Sequence, residues 1–131
     1  MKKNLRHLAL AALPFLAATA YAADFDGSKP LICSTISAVD CMRGLECLPG
    51  LPEDIGAPAF MRLDFAKKAV VGPKSTSPIL LLEKTSTQML LQGREGSYAW
   101  TMAIEADGGA LTLTFVSRAT AYVLFGNCTP L

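Results

Sequence analysis

Ser97 to Val116 reads SYAWTMAIEADGGALTLTFV, and this stretch decides the fold. Its apolar residues alternate, with Tyr98, Trp100, Met102 and Ile104 before a turn and Leu111, Leu113 and Phe115 after it. Such a period of two is the mark of a half-buried strand. Asp107-Gly108 is a strong hairpin signal, because a type I′ turn needs positive φ at both central positions. With those two residues as the loop, Ile104 faces Leu111, Met102 faces Leu113 and Trp100 faces Phe115. A slip of one residue would carry the whole apolar set to the other face, so pattern and turn support one register.

Working outward, FMRLDF (Phe60 to Phe65) also alternates, and Ala69 to Gly72 follows it as a second hairpin across Ala66-Lys67. Arg62, Lys67, Lys68 and Lys74 read as a solvated strand edge whose charges discourage edge pairing. Ile79 to Glu83 and Gln88 to Gln92 form a third hairpin around Thr85-Ser86, setting Leu82 against Met89 and Leu80 against Leu91. Gly93 to Gly96 turns the chain into the Ser97–Val116 hairpin. Ala121 to Phe125 is the last strand, and Pro30 to Ile36 the first, with proline at its start where a ladder tolerates it. No helix and no internal repeat is evident. The expectation is an all-β antiparallel meander of seven or eight strands, closed into a small barrel, with a β-sandwich as the alternative.

The N-terminus carries Lys2, Lys3 and Arg6, then an apolar run from Leu8 to Ala20 that ends in Ala20-Tyr21-Ala22. This is a secretory signal pattern, too short to span a bilayer. Residues 1–22 are read as signal peptide and 23–131 as a single β-rich domain, located in the periplasm or secreted, with no membrane insertion after signal removal. Three of the 12 Lys/Arg and none of the 11 Asp/Glu fall in the signal, leaving nine against eleven, a net charge of −2. No clustered basic excess points to nucleic acid. The single histidine, His7, lies in the signal too. The mature part therefore lacks imidazole for general-base work or zinc ligation. Glu53-Asp54 is the one adjacent acidic pair, and neighbours in an extended chain point apart. The reading is no enzyme, no metal and no cofactor.

Four cysteines in an exported chain read as two disulfides. Of the three connectivities four cysteines allow, the preferred one is Cys41–Cys47, a local clip, with Cys33–Cys128, which would tie the first strand to the last. By chain-entropy reasoning the long closure contributes on the order of 4–5 kcal/mol.

Arg43 to Pro58 is punctuated by Gly44, Pro49, Gly50, Pro52, Gly56 and Pro58, too often for helix or strand. Leu45, Leu48, Leu51 and Ile55 lie within it. They either pin the loop over one end of the core or present a recognition surface. Leu80, Leu82, Met89, Leu91, Trp100, Met102, Leu113 and Phe115 are expected to point inward, with enough bulk to fill a barrel of short strands.

The segments FDGSKPLIC (Phe25 to Cys33), FMRLDF, MLLQGREGSYAW (Met89 to Trp100) and FGNCTP together resemble a family of small exported proteobacterial β-rich proteins. That resemblance assigns no activity and no site residues. In size, export and expected barrel the chain is also similar to periplasmic C-type lysozyme inhibitors. It lacks their Ser/Gly-rich cleft-entering motif, so the likeness is architectural. The function expected from the sequence is a monomeric, disulfide-bonded binding or inhibitor module for a periplasmic or secreted protein. The alternative is a lipocalin-like carrier of a small apolar ligand.

Overall fold

The computed structural model describes residues 24–131. The expected signal peptide lies outside the described residues. Nine strands form one antiparallel sheet: β1 Leu31–Met42, β2 Leu48–Gly50, β3 Phe60–Asp64, β4 Ala69–Val71, β5 Thr76–Lys84, β6 Gln88–Glu95, β7 Tyr98–Glu105, β8 Ala110–Val116 and β9 Thr120–Pro130. Strands β1 and β3 to β9 pair in sequence, and β9 returns to β1, closing an eight-stranded barrel. The short β2 is an extra strand on the upper half of β1, beside Ala38 to Asp40. The barrel is therefore the fold, and the sandwich alternative falls away.

The β7–β8 hairpin has the expected register, with Ile104 opposite Leu111, Met102 opposite Leu113 and Trp100 opposite Phe115. Its turn is different. Positive φ falls on Gly108 (95°) and Gly109 (72°), not on Asp107. Two consecutive glycines offer the left-handed conformation without a Cβ clash, so the turn shifts one residue along while the apolar faces hold the pairing.

The β5–β6 hairpin departs from expectation by two residues: Leu82 pairs with Leu91 and Lys84 with Met89. The Thr85 hydroxyl accepts from the Thr87 and Gln88 amides (3.3 and 3.2 Å), which makes Ser86-Thr87 the loop. A bulge between Ile79 and Leu81 then turns Leu80 outward, where it is 66% exposed, and Leu82 is only partly covered. The other six residues expected inside do point inward, with Phe115 partly buried against the core.

Both disulfides pair as expected, Cys33 with Cys128 and Cys41 with Cys47. Cys33 and Cys128 are direct cross-strand partners on β1 and β9, Cα atoms 4.0 Å apart, inside the barrel. The bond thus clamps a seam that is already hydrogen-bonded along the whole of β1. Two disulfides fit a protein that matures outside the cytoplasm.

The core fills the lower barrel. One cross-strand row runs Ala38, Leu124, Leu113, Met102 and Leu91, and the next runs Gly126, Leu111, Ile104 and Met89. Each fully buried leucine or methionine there contributes about 1.5–3 kcal/mol of transfer free energy. The lead-in before β1 closes this end, with Phe25 packed on the core against Gly109, where any Cβ would collide with its ring.

Candidate ligand cavity at the open end of the barrel

One row above the filled core, the sequence places residues that do not fill space alike. Following the pairing around the barrel, the row is Asp40, Tyr122, Phe115, Trp100, Gly93 and Ile79. Gly93 has no side chain, and the indole of Trp100 occupies its place: a Cβ at Gly93 would overlap the ring and the Pro78 carbonyl oxygen. Lying across β6, the indole Nε1 donates to Ser77 Oγ on β5 at 2.7 Å, and Ser77 Oγ donates to the Arg94 carbonyl at 2.9 Å. The only tryptophan is thus flattened against the wall and held by a buried bond, which leaves space in front of it.

The wall is also incomplete. β3 and β4 are short, at five and three residues, and do not reach the top of the barrel. Their place is taken by the connection after β2, a 3-10 turn over Pro52–Ile55 followed by Ala57 and Pro58. Asp54 Oδ2 accepts from the Leu51 amide (2.9 Å) and starts this turn, and Thr35 Oγ1 donates to the Pro58 carbonyl (2.7 Å), anchoring it to β1. Between this connection, the Gly72–Ser75 loop and the aromatic row lies an open cavity of about 510 Å³. Met61, Met102 and Leu113 floor it, and Tyr98, Trp100, Phe115 and Tyr122 form one side. Tyr98 packs edge-on to Phe115 (6.4 Å between centroids, 90°) and lies tilted against Tyr122 (6.0 Å, 35°). The expected filling of the barrel therefore holds for its lower half only.

Polar groups are few. Glu53, Lys74 and Glu95 stand at the lining, and the Ser75 hydroxyl bonds the Glu95 carboxylate. Partial desolvation, then the Tyr98 hydroxyl and the Asp40 charge, hold the Tyr122 phenol above its ordinary range, so it stays protonated at neutral pH. Asp64, the last residue of β3, is buried and accepts from the Lys67 amide at 3.1 Å, a turn-capping role. Among the described residues no group of three or more His, Cys, Asp or Glu is placed to hold a metal ion.

The four residues singled out in the Arg43–Pro58 loop separate. Leu45, Leu48 and Leu51 are 69%, 63% and 51% exposed, so they do not pin the loop to the core. Ile55 turns inward, packs on the core and lines the cavity. Sequence reasoning missed Gly93 and Asp40 as members of the aromatic row. Gly93-Arg94-Glu95-Gly96 reads as one turn, whereas β6 continues to Glu95 and only Gly96-Ser97 turns. The signal was present in the β6–β7 pairing, which sets Gly93 opposite Trp100.

The chain matches no family model, and no curated protein or solved structure shows significant similarity to it.

Proposed function

We propose that this protein is an exported, lipocalin-like binder of a small, largely apolar molecule, held in the open end of its barrel. The observation that carries the reading is the cavity of about 510 Å³, lined by aromatic and aliphatic side chains with a few polar groups at its edge. That volume and chemistry match small-molecule sites, which run from about 300 to 1,000 Å³. The indole lies in the cavity wall, so a bound ligand reports directly on tryptophan fluorescence. Titration of the disulfide-intact protein with the apolar dye N-phenyl-1-naphthylamine tests the reading: saturable energy transfer from Trp100 is expected. Dye uptake that survives Leu113→Trp, a substitution that adds bulk to the cavity floor, would place the dye elsewhere and count against the reading.

The exposed Leu45, Leu48 and Leu51 favour a second reading, a loop that binds a periplasmic or secreted protein. Cys41–Cys47 and the β1–β2 pairing hold this apolar tip in place before any partner arrives. Replacing Arg43–Pro58 by a Gly/Ser linker should abolish partner capture while the barrel persists. Unchanged capture would dismiss that reading.

A further inference from the structure

We infer that the ligand of the cavity carries an organic cation, an ammonium group that sits among the aromatic rings with its apolar body directed to the floor. The inference rests on the small-molecule reading above and names the ligand class for the same site.

The first support is the placement of the aromatics. Both tyrosines of residues 24–131 and the chain's one tryptophan stand at this mouth, with Phe115 between them. Tyr98 and Phe115 meet edge to face while Tyr98 and Tyr122 are tilted, so the rings are not stacked on one another. Ring faces bear negative quadrupole charge, and a desolvated cation near several of them is attracted to each.

The second support is independent of the rings. Asp40 is the direct cross-strand partner of the lining residue Tyr122, two residues beyond the buried pair Ala38 and Leu124, and stands beside the cavity lining rather than in it. Its Oδ1 is buried and has no hydrogen-bond partner among the described residues. A buried carboxylate oxygen is costly unless paired, and a cation is the partner that best offsets the cost. Glu53 and Glu95 lie at the lining, while Lys74 is the one cationic side chain there. Two carboxylates against one ammonium at the lining, with Asp40 beside Tyr122, disfavour an anionic head group and favour a cationic one.

A head-group series on one alkyl chain tests this: octyltrimethylammonium, 1-octanol and octanoate, titrated into the disulfide-intact protein by calorimetry with Trp100 fluorescence in parallel. The ammonium is expected to bind about 10-fold more tightly than the alcohol, and the carboxylate most weakly. Asp40→Asn should narrow the gap in affinity between ammonium and alcohol. Glu53→Gln, at an exposed position, should reduce the preference in the same direction and serves if Asp40→Asn folds poorly. Equal or tighter binding of the alcohol or carboxylate overturns the cation and leaves the cavity reading standing. Failure of all three to bind overturns both.

Discussion

Replacing Gly93 by alanine adds one methyl group at the place where the whole cavity wall is organised. A Cβ there would overlap the Trp100 ring from one side and the Pro78 carbonyl oxygen from the other, so the indole must leave its seat. Overpacking of this kind costs about 1–3 kcal/mol. Displacement also breaks the 2.7 Å bond from Trp100 Nε1 to Ser77, a buried hydrogen bond. Such a bond has a net value of about 1 kcal/mol. Against these, alanine is the better strand residue by about 0.5–1 kcal/mol. The net expectation is a loss of about 2 kcal/mol, near 8–10 °C in Tm for a domain of this size. Urea denaturation followed by far-ultraviolet circular dichroism measures it, a signal that does not depend on the only indole. The control is a cycle with Trp100→Phe, whose smaller ring lacks the donor, so Gly93→Ala should then cost less than about 1 kcal/mol. A Gly93→Ala protein as stable as wild type, or an equal cost in both backgrounds, would refute the reasoning. The displaced indole should also occupy the cavity and weaken uptake of N-phenyl-1-naphthylamine.

Joint replacement of Cys33 and Cys128 by serine removes a closure spanning 95 residues and should lower stability by about 4–5 kcal/mol, read from denaturant midpoints. Because β1 and β9 stay paired, the far-ultraviolet circular dichroism of the variant in the absence of denaturant should still be that of a β-barrel. The Tyr122 phenol has a folded pKa raised above its ordinary 10.0, so its stabilising contribution is full below about pH 10 and is lost as pH rises through the folded value. The Tm advantage of wild type over Tyr122→Phe should therefore shrink from pH 9 to pH 11, and a constant or growing difference would contradict the assignment. Leu48→Ser and Leu51→Ser, both on the exposed loop, should change stability by less than about 0.5 kcal/mol, as thermal melts would show. A larger loss would mean that these leucines cover the core.

Much of the barrel was legible because its signals were redundant. Trp100, Met102 and Ile104 against Phe115, Leu113 and Leu111 leave only one register that buries all six, and a shifted turn does not disturb it. The disulfides were legible for a similar reason, since chain closure and a local clip are separate demands on four cysteines. Where one local signal decided alone, reading failed. The hydroxyl of Thr85 moved the β5–β6 loop by one residue, and the bulge at Leu80 reversed a side chain that alternation had placed inside. Gly93 looked like punctuation because the same residue type serves turns and close approach, and only its cross-strand partner tells them apart. The cavity was illegible in principle from bulk alone. It exists because β4 is three residues long and because Gly93 lets the largest side chain lie flat, facts of pairing length and packing rather than composition.

Native mass spectrometry of the protein taken unreduced from the cells that make it tests most directly whether the barrel holds a ligand. An occupied cavity gives a second species, heavier by one small molecule, that collapses to the bare chain on denaturation and is absent from Leu113→Trp. A single species at the mass of the two-disulfide chain, unchanged after incubation with octyltrimethylammonium or 1-octanol, would contradict it.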